Sequence, residues 1–332
     1  MVGLTNQAYF VRIGKLNLLR SLGAFLFLFL LINLEFHSPE EEIHHPLFPE
    51  KGIRVYLKRD DLIHPFISGN KWRKLKYLLQ KAESEGKMHL VTFGGVWSNH
   101  LLATACAAAK FGLKSTGIVR GEDINTETLL FCRMFGMNLL FADRESYREK
   151  QNYFDRHFKN DPAAFYIDEG GCSEEAAKGC AELVLELERE YQHIFCACGT
   201  GTTAAGIING LTTIKASTLF HAIPVLKGEF LKKEIDKLLL NATNYEFHQD
   251  YHFGGYAKTQ PALINFISNF ASTTGIILDP VYTGKMMFAI FDLARKDHFS
   301  QGSKIMAVHT GGLFGLLGMK DKFNKDSNPT NA

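Results

Sequence analysis

From Val55 onward, the chain alternates short runs of β-branched or apolar residues with longer segments of helical periodicity. Chains with this alternation form parallel sheets covered by helices, because a crossover helix returns the chain to the edge where the next parallel strand begins. The pattern therefore predicts an α/β fold. The predicted strands are residues 54–58, 89–93, 115–119, 139–142, 164–167, 193–198, 218–224, 245–248 and 304–309.

Three segments between these strands have the periodicity of a helix. The first begins after Asn70, where apolar residues recur at positions 72, 75, 78, 79 and 82, so Lys71 is expected in its first turn. The alanine-rich segment 100–110 is closed by Gly112, and segment 174–191 also carries an apolar stripe. We expect helices at all three places.

Size and charge favour a protein that acts on a small molecule. The chain has 332 residues, 46% of them hydrophobic, which suffices for two compact lobes. Its 37 basic and 35 acidic residues leave a formal net charge of +2, which provides no field suited to nucleic acid or an anionic membrane. The six cysteines match no zinc-binding spacing, so we expect reduced thiols and no metal site.

The amino-terminal region contains an apolar run at 21–34, preceded by Arg12, Lys15 and Arg20. Its outline resembles a signal peptide, but no small-x-small cleavage site follows, and the run is shorter than the roughly 20 apolar residues of a spanning helix. We favour an apolar helix packed on the body or an upstream extension, and hence a cytoplasmic protein. Export or membrane anchoring is the open alternative. The polar tail at 320–332 is expected to be frayed.

Four segments place glycines or small hydroxyl residues where a predicted strand gives way to a helix. They are SGNKW at 68–72, GGVWSNH at 94–100, GTGTTAAG at 199–206 and HTGG at 309–312. In open parallel sheets, ligands bind outside such strand ends. The amides of residues 199–203, at a helix amino terminus, would form a phosphate cradle of mononucleotide size, with an ordinary tight turn as the alternative. The segment is neither a Walker A loop nor a dinucleotide fingerprint.

Lys71 follows Ser-Gly-Asn at the expected helix start. The positive end of the helix dipole favours the neutral amine that Schiff-base chemistry requires. Most lysines are surface charges, and this alternative stays open for Lys71 when its position is considered alone.

Six segments, taken in order, resemble one known family. They are VYLKRDDL at 55–62, SGNKWRKL at 68–75, GG-x-x-SNH at 94–100, GTGTTAAG at 199–206, DPVYTGK at 279–285 and HTGG at 309–312. Together they resemble the pyridoxal-phosphate enzymes of the tryptophan synthase β-like fold (fold type II), in the branch of 1-aminocyclopropane-1-carboxylate (ACC) deaminase and D-cysteine desulfhydrase. The resemblance runs from about Val55 to Gly315. It implies an enzyme that breaks down a small amino acid with pyridoxal 5'-phosphate (PLP).

The resemblance implies roles at the cofactor for the matching residues. Lys71 would hold PLP as a Schiff base and later move the substrate's protons. Asn99 would hydrogen-bond the phenolic oxygen of the cofactor. Thr310 would face the pyridine nitrogen, and a hydroxyl there leaves that nitrogen largely unprotonated, which favours elimination over transamination. The phosphate would be held by Gly199, Thr200, Gly201, Thr202 and Thr203.

The resemblance also implies a substrate side. The loop of Ser98, Asn99 and His100 would meet the substrate carboxylate, with Ser98 as a candidate acid-base group. Tyr282 and Tyr256 would stack near the substrate as catalytic residues, and plain core packing is their alternative. Two departures lie where substrate is expected: Trp97 stands where the family commonly has glutamine, and segment 172–179 lacks the usual asparagine.

Three positions bear on the choice of substrate. Where ACC deaminases resemble DPVYEGK, HLGG and SNQ, this chain has Thr283, Thr310 and His100. All three match D-cysteine desulfhydrase, which implies α,β-elimination of D-cysteine to pyruvate, sulfide and ammonia. Deamination of ACC to 2-oxobutyrate and ammonia is the alternative. A PLP-binding protein without turnover and a nucleotide-binding α/β module are alternatives of other classes.

The expected architecture has two lobes. Residues 35–71 and 190–332 form a large cofactor-binding domain, residues 72–189 form a small domain, and residues 1–34 are an extension of uncertain role. Active sites at such junctions close over their substrate. We expect a homodimer.

Overall fold

The computed structural model describes residues 32–323. Most of the apolar run at 21–34 and most of the polar tail at 320–332 therefore lie outside the described residues. Among residues 32–323, no helix is both long enough and apolar enough to cross a membrane.

The larger sheet has six strands in the order β1-β2-β10-β7-β8-β9. Only β1 runs antiparallel to its neighbour among these described strands, so the carboxyl ends of β7 and β10 lie at the same edge. The strands are β1 Glu40–Ile43, β2 Arg54–Lys58, β7 His193–Cys198, β8 Leu219–Pro224, β9 Glu246–Phe247 and β10 Lys304–Val308.

The smaller sheet has four parallel strands in the order β5-β4-β3-β6. They are β3 His89–Gly94, β4 Lys114–Arg120, β5 Asn138–Ala142 and β6 Ala164–Ile167.

Helices connect most of the strands, as an α/β fold requires. The α-helices are α1 Leu47–Glu50, α2 Asn70–Ser84, α3 Asn99–Lys110, α4 Glu127–Met134, α5 Arg144–Arg148, α6 Lys150–Phe158, α7 Glu174–Leu185, α8 Thr202–Thr213, α9 Phe230–Lys237, α10 Pro261–Thr274, α11 Thr283–Arg295 and α12 Phe314–Leu317. Short 3-10 turns cover Asp60–Leu62, Glu169–Gly171, Gln249–His252 and Lys320–Lys322.

The α/β prediction is confirmed, and each of the nine predicted strands is present within one or two residues of its expected bounds. The sequence pattern missed β1, whose first three residues are glutamates at the edge of the sheet. The helix expected at 174–191 was too long, because α7 ends at Leu185. The division into lobes at 71/72 and 189/190 stays a prediction.

Strand β2 illustrates why the central strands are apolar on both faces. Val55 and Leu57 are buried in one cluster together with Ile290 of α11, while Tyr56 is buried in another cluster with Ile207 of α8. Burying one such side chain fully contributes roughly 1.5–3 kcal/mol relative to leaving it exposed. A polar residue on either face would therefore weaken the sheet.

Helix α7 packs between α2 and α8 at two glycines. A Cβ atom at Gly179 would lie 1.9 Å from the backbone oxygen of Arg73, and one at Gly206 would lie 2.4 Å from that of Ala177. Real Cβ atoms do not approach so closely, so each contact requires glycine. This packing holds the amino termini of α2 and α8 close enough for both to line one cavity.

Candidate active site

A cavity of about 700 Å³ lies where β3, β6, β7 and β10 end. Its volume suits a small ligand. All four glycine-containing segments contribute to its wall, through residues 70–71, 95–100, 199–201, 203–204 and 310–312. The structure therefore brings together segments that are up to about 240 residues apart in the sequence, as expected for parallel strand ends.

Lys71 lies in the first turn of α2, as predicted. The preceding Gly69 has φ +62°, and a Cβ there would lie 1.8 Å from the backbone oxygen of Thr310, so glycine lets this helix start against the loop after β10. The Lys71 amine donates to Asn70 Oδ1 at 2.7 Å, and Asn70 Nδ2 donates to Thr203 Oγ1 at 2.8 Å. Burial, and next the charge of Lys74, lower the pKa of Lys71 to about 7.

The loop before α8 forms an anion cradle. Gly201 is the residue before the first turn and has φ +80°, a left-handed conformation that glycine adopts without strain. A Cβ there would also lie 2.8 Å from Ile235 Cγ1. The first backbone N–H groups of a helix have no acceptor within it and carry partial positive charge. They suit a phosphate group.

Lys74 is a buried cation beside this cradle, and the sequence interpretation missed it. Its amine donates to the backbone oxygen of Gly170 at 2.9 Å and to Thr200 Oγ1 at 3.2 Å. Both partners are neutral, and burial lowers the pKa of Lys74. A buried ammonium is stabilised best by an opposite charge, so this site also favours a bound anion. Its spacing from Lys71 was the available signal, because residues i and i+3 lie on the same side of a helix.

The loop of Ser98, Asn99 and His100 borders the cavity at the start of α3. Ser98 Oγ accepts from the backbone N–H of Leu101 at 3.2 Å, which caps the helix. Asn99 Nδ2 donates to the backbone oxygen of Gly312 at 3.2 Å and so ties this loop to the loop after β10.

His100 has a defined tautomer because of its hydrogen-bond partner. Thr92 Oγ1 donates its proton to the backbone oxygen of Ile167 at 2.9 Å, so it accepts from His100 Nε2, which lies 2.8 Å away. Burial, followed by the charges of Lys71 and Lys74, lowers the pKa of His100 well below its usual value. The neutral ring therefore keeps its lone pair on Nδ1, a buried atom with no partner among the described residues.

Two tyrosines lie together at the cavity wall. The rings of Tyr256 and Tyr282 meet edge to face, with centroids 6.3 Å apart. Burial, and next Tyr256, raise the pKa of Tyr282 well above its usual value, so its hydroxyl keeps its proton at neutral pH. A Cβ at Gly199 would lie 3.0 Å from Tyr282 Cε1, which shows how closely this ring approaches the cradle.

Four further predicted residues differ in their placement. Thr310 and Trp97 line the cavity, and Thr310 is only 7% exposed. Thr202 does not line it, and its hydroxyl lies 3.1 Å from that of Thr200. Thr283 does not line it either: its hydroxyl donates to Asp279 Oδ2 at 2.8 Å and accepts from the Asp279 N–H. The direct substrate contact expected of Thr283 is therefore absent from the described cavity wall.

Comparison with known proteins identifies the family. Residues 43–311 match the family model described as pyridoxal-phosphate dependent enzyme. The chain belongs to this family.

Individual relatives show which branch of the PLP-dependent enzymes this chain resembles. A Pyrococcus horikoshii protein, provisionally named 1-aminocyclopropane-1-carboxylate deaminase, is 34% identical over 82% of this chain and 89% of its own length. The mitochondrial bifunctional D-cysteine desulfhydrase/1-aminocyclopropane-1-carboxylate deaminase of Arabidopsis thaliana is 30% identical over 82% of this chain and 75% of its own. A crystal structure of an ACC deaminase homologue has a TM-score of 0.80 and 32% identity, covering 87% of this chain and 94% of that one. The predictions of fold type II and of PLP are confirmed.

The cavity fits PLP in two respects, one of geometry and one of electrostatics. The Gly201 cradle and the buried Lys74 suit its phosphate, while the Lys71 amine, about half neutral near pH 7, suits covalent attachment of its aldehyde. The lining of this PLP site also includes charged side chains of both signs, at positions 120, 150, 168, 169 and 234.

Proposed function

We propose that this PLP enzyme is a lyase that converts D-cysteine to pyruvate, sulfide and ammonia. The observation that carries the proposal is the hydroxyl residue Thr310 on the cavity wall, at the position where the family resemblance expects the partner of the pyridine nitrogen. The nearby acid Asp279 does not line the cavity, and its carboxylate is occupied by the backbone N–H groups of Val281, Tyr282 and Thr283 and by the Thr283 hydroxyl.

Bound PLP supplies the electron withdrawal that weakens a bond to the α-carbon of an attached amino acid. Elimination from D-cysteine requires removal of the α-proton and departure of the β-thiol, a good leaving group. ACC has no α-hydrogen, and opening its ring demands a stronger electron sink, which a carboxylate beside the pyridine nitrogen would support. A hydroxyl beside the pyridine nitrogen therefore suffices for elimination from D-cysteine, but it supports the ring opening of ACC less well.

Residues of the chain supply the proton transfer, the orientation of the Lys71 amine and the binding contacts. With its pKa of about 7, the Lys71 amine accepts and returns a proton near neutral pH without a large energetic cost. Its amide neighbour Asn70, held by Thr203, accepts one of the Lys71 N–H groups and so orients the amine. The 98–100 loop and the Tyr256–Tyr282 pair border the space left for the amino acid, and the cradle with Lys74 anchors the far end of the cofactor.

ACC deamination is the second candidate, and the relatives support it. Both named relatives carry ACC deaminase in their names, and one of them carries D-cysteine desulfhydrase as well. At about 30% identity the names do not separate the two reactions. A PLP carrier without turnover is disfavoured, because Ser98, Tyr256 and Tyr282 border the cavity and a carrier has no need of them.

The deciding experiment compares kcat/KM for D-cysteine and for ACC on one preparation of purified holoenzyme, with L-cysteine as the stereochemical control. The ratio reports the difference in transition-state stabilisation. We expect sulfide and pyruvate from D-cysteine at the higher kcat/KM. A higher value for ACC would move the protein to the deaminase side, and inactivity on both would direct attention to Trp97 and segment 172–179.

We also propose a cytoplasmic homodimer with the two lobes given above. The lobes are supported by the strands, since the smaller sheet uses only residues 89–167 and the larger one only residues 40–58 and 193–308. Light scattering of the purified protein tests the dimer, which requires twice the mass of one chain.

A further inference from the structure

A second cluster of polar side chains lies at the β9 edge of the six-stranded sheet. His221 is on β8, Glu246 is on β9, and His248 follows β9 directly. None of the three lines the PLP cavity. The cysteine spacings indicate no metal site, but this cluster consists of two histidines and a glutamate that β8 and the segment around β9 bring together.

Three atoms of the cluster form a nearly equilateral triangle. His221 Nδ1 lies 2.9 Å from His248 Nε2, and Glu246 Oε2 lies 3.3 Å from the first and 3.2 Å from the second. Zinc binds imidazole nitrogen and carboxylate oxygen at about 2.0–2.2 Å, so two ligand atoms of a tetrahedral site are separated by about 3.3 Å. The triangle therefore has the size of one face of a tetrahedral coordination sphere.

Hydrogen bonds alone do not satisfy all three atoms of this triangle. A neutral imidazole carries one N–H and one lone pair, so the 2.9 Å contact between His221 Nδ1 and His248 Nε2 holds one proton. Whichever ring donates that proton, the nitrogen of the other ring lies 3.2–3.3 Å from the Glu246 carboxylate oxygen without a proton of its own to donate to it. A cation inside the triangle converts all three lone pairs into ligands and removes the conflict.

The neighbours of the cluster hold it in a ligating arrangement. His193 Nδ1 lies 2.9 Å from His221 Nε2, and Phe195 stacks on the His221 ring with a centroid distance of 4.1 Å. If Nδ1 of His221 binds a metal, its Nε2 carries the proton and donates to His193 Nδ1, and this gives the ligand the outer hydrogen bond that orients metal-bound histidines. His298 Nε2 contacts Glu246 Oε2 at 3.4 Å. Glu246 is 39% exposed, which gives an ion a path from solvent.

We propose that His221 Nδ1, His248 Nε2 and Glu246 Oε2 bind one divalent transition-metal ion of the zinc class, with water at the remaining position. Two imidazoles and one carboxylate suit Zn²⁺ or Co²⁺, whereas Mg²⁺ and Ca²⁺ prefer oxygen ligands alone. The ion would join β8 to β9. That edge strand has only two residues, so the metal would fix it to the sheet at a point outside the wall of the PLP cavity.

The test uses tag-free holoenzyme, stripped with a chelator and titrated with Zn²⁺ at a pH above 7, where exposed imidazoles are neutral. We expect one Zn²⁺ per chain by calorimetry and by elemental analysis after dialysis. Titration with Co²⁺ should give the visible d–d absorption of a tetrahedral ion. Two variants remove one ligand each, Glu246→Gln and His248→Gln, and we expect Zn²⁺ affinity to fall at least about 100-fold, the upper end for losing even an outer partner.

The matched control is His44→Gln, which removes an exposed histidine after β1 and should bind Zn²⁺ like the wild type. Unchanged PLP absorption and circular dichroism show that each variant is folded, and Glu246→Gln alters a side chain with access to solvent. No saturable binding by the wild type would overturn the proposal. Binding that persists in both variants, or that is lost on alkylation of the thiols instead, would overturn it as well.

Discussion

Lys74 lies one helical turn after Lys71 on α2, and its charge is the second cause, after burial, of the lowered pKa of Lys71. Both amines reach the cavity, where Lys71 bonds to the Asn70 amide and Lys74 faces the cradle before α8. Burial and the neighbouring charge together keep Lys71 neutral enough to react, and the Lys74 amine is placed where it can attract an anionic group such as the phosphate of the cofactor.

The first prediction concerns the pH dependence of cofactor attachment. Only the neutral amine of Lys71 attacks the PLP aldehyde, and its pKa is lowered from 10.5 to about 7. The rate at which PLP recombines with apoenzyme should therefore rise with pH, reach half its maximum near pH 7 and level off above. Stopped-flow absorption measures this rate across pH 5.5–9.5, a range that extends about two pH units to either side of the expected midpoint. A midpoint near that of free lysine would show that the amine is not perturbed.

The second prediction uses Lys74→Met to test how the charge of Lys74 affects the pKa of Lys71 and the binding of PLP. Removal of the positive charge raises the pKa of Lys71, so the midpoint of the recombination profile should move to higher pH. Loss of the buried cation should also weaken PLP binding by about 10-fold or more, as expected for losing one charge-assisted hydrogen bond of ~1.5–3 kcal/mol. Lys76→Met is the control, because Lys76 pairs with Glu182 and does not line the cavity. An unshifted midpoint in Lys74→Met would contradict the coupling.

Much of the fold is predictable because apolar runs and helical periodicity report burial directly. β2, β6 and β7 begin and end at the predicted residues, since each is a buried strand bounded by turns. The sequence pattern missed β1 because Glu40, Glu41 and Glu42 form an edge strand only by pairing with β2. No local pattern indicates such a pairing. The end of α7 was missed because Leu187 continues the apolar stripe although the helix has already stopped at Leu185.

The third prediction tests the cradle with a matched pair of glycines. Gly201 and Gly112 both have positive φ, at +80° and +70°, but a Cβ at Gly201 would meet Ile235 and one at Gly112 would meet nothing within 4 Å. Each change to alanine should cost about 1–2 kcal/mol of stability through backbone strain. Only Gly201→Ala should weaken PLP affinity, which a fluorescence titration of apoenzyme measures. Equal PLP affinity in the two variants would mean that the loop is an ordinary turn.

The cavity residues were predictable to the extent that each lies in a short motif. Lys71, Asn99, Gly201 and Thr310 follow strand ends, and parallel strands bring those ends together. Lys74 and the Thr92–His100 contact depend on packing between distant elements, such as the approach of Gly170 to α2, which motifs do not encode. Thr283 also lies in a motif, but the motif does not reveal that its hydroxyl bonds to Asp279 and that the residue does not line the cavity.

The fourth prediction concerns the unpartnered Nδ1 of His100. The carboxamide of glutamine reproduces the Nε2 position and keeps the bond to Thr92, while that of asparagine reproduces the Nδ1 position. If Nδ1 accepts a hydrogen bond from the substrate, His100→Gln should lower kcat/KM for the preferred substrate by about 10-fold, the value of one hydrogen bond of ~1.4 kcal/mol. His100→Asn should retain more activity. The reverse order would mean that His100 acts only by holding Thr92.

The most direct measurement locates the covalent attachment of PLP. Among the described lysines, Lys71, Lys74 and Lys285 all have a pKa lowered by burial, but Lys285 donates to the backbone oxygens of His252 and Gly255 and does not line the cavity. The holoenzyme is reduced with borohydride, digested and mapped by mass spectrometry. We predict the reduced cofactor on Lys71 alone, and neither attachment nor activity in a folded Lys71→Ala variant, with both retained in Lys76→Ala. Cofactor fixed to Lys74, Lys285 or any other lysine in the wild type would contradict the central claim.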